Sequence, residues 1–503
     1  MQKRIFLAII LSFIVSISSL FSQNKEFKIK VSEDLFKIWD FSKFMGADDK
    51  YFYIYSLNNE IKVYNANLEE VNKFTLEYKE EKNDNHYRSA IKSINGKHYY
   101  FTLINNKKLN TVKIYAAKIN EGKLEPFNLL HTYNLLKGED LALDNDFVLV
   151  DDENNEIAVV YFFKDQTFIL DGYWFIRSGV KELNSIVFNE SLDVQWERKI
   201  SIGDERKNVK NYVKDMKLSN NKVIFVSDII PDDSITKKVD FRFPSTVISI
   251  ADKHTTKSVL LIKDQFNSEG YITSTIRTEN VGIFASIDST IYIGGLYNKS
   301  DETGFYFSTL NMYSLSLNNR FVPFDDEISK FKITLSEEPE KNTYDTNNYF
   351  LYKSRNAAHH LYGNGVFTLV TYEKYPNNLI ANFDLDGNLK NAKMLSCSDN
   401  VEPKYNARNF FAAYYNNKLH VLQREDLKKD GGDSFGQNYK ETTYLYRFNN
   451  EGEIELKEKA YVGYESTIHM SYILLKNNML ILPIASIRSS APHITNLGYI
   501  ELK

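Results

Sequence analysis

Short apolar bursts punctuated by small polar corners run the length of the chain, as in INGKHYYFTL, SNNKVIFVS, YGNGVFTLV and YNNKLHVLQ. Each begins with two or three residues drawn from Asn, Asp, Gly or Ser, often closed by Lys, and continues with β-branched and aromatic side chains. No window sustains apolar residues at i, i+3, i+4 and i+7, so the pattern predicts strands and excludes helical solenoids. Asn, Asp and Gly tolerate the positive φ that tight hairpin turns require. The same corner recurs as ADDKYFYIY, LDNDFVLV, IDSTIYIGG and LKNNMLILP. Aligned on Lys50, Lys97, Asp146, Lys222, Thr290, Gly365, Lys418 and Asn478, the eight instances are spaced by about 61 residues on average.

A second polar corner lies downstream in most units: VYNANLEEV, AKINEGKLEPF, VFNESLDVQW, ANFDLDGNLKN and YRFNNEGEIEL, with weaker versions in ISIADKHTTKSV and LSLNNRFVPF. Two tight hairpins joined by a looser connection give a four-stranded antiparallel unit, strands A to D. Such units repeated around a ring form an all-β propeller. Eight A–B corners predict eight blades, with seven as the alternative count. The chain ends in ITNLGYIELK, a third strand with no fourth after it, whereas EFKIKV (Glu26–Val31) is a strand with no partner before it. Pairing the two closes the ring and hides two sheet edges. The whole pattern resembles β-propeller repeats in general, and IDSTIYIGGLYN, with its paired Gly294 and Gly295, is kelch-like in that one unit. SLDVQW (Ser191–Trp196) lacks the glycine and the Trp spacing of a sialidase-type aspartate box.

Composition agrees with strands: aromatic residues make up 14% of the 503, with 34 Tyr and 34 Phe. The net charge is −4 and both signs are scattered, so no basic stripe exists to follow a nucleic-acid backbone. Lys3 and Arg4 precede IFLAIILSFIVSISSLF and then polar SQNKE, the order of a secretory signal peptide. Residues 1–22 are therefore expected to be a signal peptide and 23–503 a single propeller domain, exported to the periplasm or beyond. No later segment is long and apolar enough to span a bilayer. Cys397 is the only cysteine, which rules out an internal disulfide.

Antiparallel order places all A–B and C–D corners at one end of the ring and all B–C and D–A connections at the other. The first set is uniformly short; the second contains the long segments. Expected B–C loops are 227–243, 295–304 and 425–441, and expected D–A loops are 78–87 and 329–348. Loops presented by a rigid scaffold carry binding, so the long-loop face is the expected functional surface. Tyr87, Tyr297, Phe305, Tyr344 and Tyr349 are its expected aromatic contacts. Arg88, Arg355 and Arg408 stand seven to nine residues before their A–B corners, near that face, and are candidate ligands for a carboxylate or sulfate. His359 and His360 are further candidates, although adjacent positions on a strand point to opposite faces and make a poor metal pair. FDLDGNL (Phe383–Leu389) fails as a calcium loop, because glycine falls fourth from Asp384 and the twelfth residue is Leu395. It reads as a C–D corner. No metal, cofactor or catalytic motif is expected. The composite expectation is a monomeric, exported binding or scaffold module for an envelope or extracellular protein or glycan. The alternative is a propeller enzyme acting on an anionic glycan or other extracellular substrate at the channel mouth.

Overall fold

The computed structural model describes residues 30–31, 41–75, 85–164, 180–202, 209–231, 245–325, 358–395, 410–464 and 466–502, with short interruptions inside several of these ranges. The chain forms an eight-bladed β-propeller of four-stranded antiparallel blades. Blade 1 is Phe41–Ala47, Tyr51–Ser56, Glu60–Asn65 and Glu70–Thr75, paired in sequence order. Blades 4, 5, 6 and 7 repeat this order, beginning at Val209, Ile276, Ala358 and Phe410. In blade 2 a short Lys123–Leu124 stretch precedes outer strand Asn128–Asn134, and in blade 3 the inner strand is split into Leu141–Ala142 and Val148–Asp151. A small hairpin, Gln265–Phe266 with Ile272–Thr273, sits between blades 4 and 5.

Blade 8 takes three strands from the C-terminal end and its fourth from the N-terminal end. Lys30 pairs with Tyr499 and Val31 with Gly498, antiparallel. Inner strands of successive blades touch one another around most of the ring, and blade 8 meets the inner strand of blade 1.

The apolar bursts are nearly continuous because each blade is buried on both faces. In strand B of blade 3 (Glu156–Lys164), Ile157, Val159, Tyr161 and Phe163 enter the core shared with blade 2, whereas Ala158, Val160 and Phe162 enter the core shared with blade 4. That is the two-residue period of a strand used on both sides. Eight such apolar clusters among the described residues each join two consecutive blades. One of them packs Phe52, Ile54 and Leu68 of blade 1 on Ile481, Ala485 and Leu497 of blade 8.

Three boundaries differ from the sequence expectation. In blade 3, FVLV is strand A rather than strand B: Val148–Asp151 pairs with Glu156–Lys164 across DENN, where Asn155 takes φ 53°. Two Asn/Asp corners flank FVLV, and Asp146 in the first lies outside the described residues. In blade 5 the C–D corner is Asn311–Ser316, and Asn318 and Asn319 of LSLNNRFVPF lie within the outer strand Leu317–Pro323. The expected loop 295–304 is instead a hairpin, with Thr290–Lys299 paired with Glu302–Asn311 through Lys299↔Glu302. Tyr297 and Phe305, expected as loop aromatics, are accordingly core residues. Tyr87 lies on inner strand Asn85–Ile94, and Tyr344 and Tyr349 lie outside the described residues.

Candidate functional site

The two ends of the ring are built differently. At the tight-turn end, six C–D corners open with an Asn or Asp: Asn65, Asn189, Asp252, Asn311, Asp384 and Asn449. In each, the side-chain oxygen accepts from backbone N–H groups two to four residues on, the Asx device that substitutes for a backbone turn. Asp384, in FDLDGNL, accepts from Asp386 N at 3.0 Å and Asn388 N at 2.9 Å. Burial is the largest single influence and opposes its charge, but the Asn388 amide, these backbone bonds and Lys390 together outweigh it and hold the carboxyl below its ordinary range. The Asp384 carboxylate is spent on the turn.

Corners at this end also bond across blades. The Trp196 indole donates to Asn221 Oδ1 at 2.6 Å, Asn220 N donates to Asp151 Oδ2 at 2.9 Å, and Asn72 donates to Gly122 O at 3.0 Å. The Asn95 amide likewise reaches Glu190 at 2.9 Å.

At the opposite end the B–C hairpins vary. In blade 6, Val366–Tyr372 and Asn378–Phe383 are seven and six residues long. In blade 7, Lys418–Asp430 and Asn438–Phe448 are 13 and 11, and their ladder runs out to Asp430↔Asn438. The stretch 425–441 expected as a loop is therefore mostly a paired arm around residues 431–437. Blade 4 repeats this on a smaller scale, its B and C strands pairing as far as Ile229↔Ser245. Residues 76–84 and 326–357, which hold most of the two expected D–A loops, lie outside the described residues.

Of the five candidate residues, Arg88, His359 and His360 lie among the described residues. Arg88 is on the inner strand of blade 2, opposite Leu103 and beside a bulge. Arg355 and Arg408 lie outside the described residues. His359 and His360 point to opposite sides of the inner strand of blade 6. The His359 ring meets Phe410 edge-on at 5.2 Å and Phe411 at 6.0 Å in blade 7. The His360 ring faces blade 5, with Nε2 3.0 Å from Gly294 O and Phe284 at 5.2 Å.

His360 belongs to a polar brace that the linear sequence does not reveal, because its members come from three blades. A bulge between Val213 and Asp215 turns Asp215 of blade 4 toward blade 5. Its Oδ2 accepts from Ile283 N at 2.7 Å and its Oδ1 from Met216 N at 2.8 Å. Two residues on, Lys217 Nζ donates to Phe284 O at 2.6 Å. The Asn280 amide donates to Thr371 Oγ1 of blade 6 at 2.8 Å. Burial pushes the Lys217 ammonium below its ordinary range against the pull of Asp215. Burial also lowers His360, helped by Lys217 and opposed by Asp215 and by the carbonyls of Gly294 and Asn280. The residue missing a side chain opposite His360 is Gly282: a Cβ there would lie 2.5 Å from ring atoms of His360. Gly294, half of the kelch-like pair, likewise leaves room for the Phe284 ring. These polar atoms hold backbone of the neighbouring blade, so the arrangement is a brace along the inner wall. Among the described residues, no group of three or more His, Cys, Asp or Glu could hold a metal ion.

No protein-family model matches the chain, and no curated protein matches it. Similar solved structures include the WD40 domain of SCAP from fission yeast, at 8% identity over 94% of this chain and 98% of that one, with TM-score 0.40. The β-propeller domain of the Trilobed protease from Pyrococcus furiosus is 9% identical over 86% and 97%, with TM-score 0.36. A prolyl endopeptidase is 8% identical over 90% of this chain, with TM-score 0.36, and the chain spans 54% of its length. Similarity of this degree transfers neither an activity nor a residue role.

Proposed function

We propose that this propeller is an exported binding or scaffold module that engages an envelope or extracellular protein or glycan through its long-loop face. The blade 7 arm carries the reading. Its B and C strands continue to Asp430↔Asn438, beyond the lengths that suffice in blade 6. The outer strand Ile454–Tyr464 pairs alongside as far as Lys440↔Tyr464, and a strand-paired extension of this kind is a preorganised contact surface, which reduces the ordering cost of binding. The opposite end spends its turn polar groups on capping and on neighbouring blades. The leader-like residues 1–22 support export, and no helix among the described residues is long and apolar enough to cross a membrane.

The test is a binding screen of the purified chain against envelope proteins and glycans. It would be repeated with residues 431–437 replaced by Asn-Gly to shorten the arm. Loss of captured partners on shortening supports the reading, and unchanged capture sinks it. Turnover of an anionic glycan, abolished by changing Arg88, Arg355 or Arg408, would instead favour an enzyme at the channel mouth.

A further inference from the structure

The outer strand of each blade presents unpaired backbone groups at the rim, an edge on which another strand can add. Seven of the eight described outer strands carry a basic residue that discourages this. They are marked by Lys30, Lys73, Arg198 with Lys199, Lys257, Arg320, Lys390 with Lys393, and Lys457 with Lys459. The eighth, Asn128–Asn134 of blade 2, has no Asp, Glu, Lys or Arg. Its uncharged run continues through Leu135 and Leu136, giving NLLHTYNLL. Leu129 is 52% exposed and Leu136 is 65% exposed. An uncharged segment of this length without proline, rich in β-formers and set on an edge, has the composition that favours strand pairing.

We propose that this strand pairs antiparallel with the same strand of a second copy, joining two propellers rim to rim about a two-fold axis. This replaces the monomer expected from the sequence. The charge pattern selects the occupant. Self-pairing of the other outer strands must seat Lys or Arg, and in blades 1, 3 and 7 acids as well, in a restricted set of registers, whereas NLLHTYNLL carries no Asp, Glu, Lys or Arg and meets no such restriction. A two-fold contact consumes both free edges and closes at two copies rather than growing into a filament. One feature resists pairing, a bulge between Leu129 and His131 that interrupts the ladder with Thr111–Asn120. It lies at one end of the strand. From His131 to Asn134 the ladder is unbroken, and Leu135 N extends it to Asn110 O at 2.7 Å. The inference is independent of what the long-loop face binds.

Sedimentation velocity of the purified chain from dilute to concentrated solution tests it. The expected result is a concentration-dependent shift from one copy to two. Thr132→Lys, at an exposed position, gives this edge the charge its counterparts have and is expected to weaken dimerisation at least tenfold. Val194→Lys, exposed on the outer strand of blade 3, should leave it unchanged. Hydrogen exchange on the unaltered chain should slow with concentration at residues 128–136. A chain that stays single at every concentration overturns the proposal. So does a dimer that Thr132→Lys leaves intact, or concentration-dependent protection confined to other residues.

Discussion

At the tight-turn end, six C–D corners share one side-chain device and several corners bond across blades. At the other end, blade 6 closes its B–C hairpin with strands of seven and six residues, while blade 7 runs to 13 and 11. The contrast shows where the repeat is constrained. Corners that touch the next blade must keep their geometry, because a shift in one disturbs the contact with another. The B–C hairpins differ in length from blade to blade, and such connections can lengthen at little cost in stability.

The sharpest way to break the comparison is to damage a corner. Gly387, in FDLDGNL, has φ 76°, and a Cβ there would run into the Phe307 ring of blade 5. Gly387→Ala should cost about 3 kcal/mol, combining left-handed strain with overpacking, read as a fall in the denaturant midpoint.

Acid should act on the blades' buried histidines next. Burial lowers His420 from 6.5 to about 4, partly offset by the Lys418 carbonyl. The unfolded chain therefore takes up its proton first as pH falls. The His420 contribution is fully present above pH 6.5 and is lost on descending toward pH 4, by at most about 3 kcal/mol. His360 shifts in the same direction. Unfolding free energies measured across this range should fall with acid, and His420→Gln should flatten the slope.

A single cap is worth less. Asn189→Ala removes the acceptor for Ser191 N and Asp193 N and should cost about 1 kcal/mol. Shortening the blade 7 arm at 431–437 should change stability least, by under about 0.5 kcal/mol. If the arm proved as costly as a corner, the distinction between the two ends would collapse.

The repeat, the blade number and the strand type were legible in the sequence because they rest on turn residues and two-residue periodicity. The errors have physical causes. Asn318-Asn319 looked like a corner, while the true corner places Leu315 at φ 58°. Leu68 and Leu192 occupy the corresponding slot at φ 66° and 65°, where Gly387 and Gly452 stand in other blades. A leucine in this conformation costs roughly 1–2 kcal/mol. Leu68 is 4% exposed in the core between blades 1 and 8, and burying it gains roughly 1.5–3 kcal/mol. Packing therefore overrides the local preference, and a reading of turn propensity misses it. The stretch 425–441 read as loop because its sequence is polar and holds Gly431 and Gly432, without the apolar bursts that mark the other strands. The brace of Asp215, Lys217 and His360 was illegible for another reason: its residues meet only when three blades assemble.

Partner capture by the intact chain, compared with the 431–437 replacement and with Asn189→Ala, tests the division of labour most directly. The account predicts that capture is lost when the arm is shortened and kept when the corner cap is removed, with both variants still folded. Capture that survives the shortened arm and fails in the cap variant would place the working surface at the tight-turn end and contradict it.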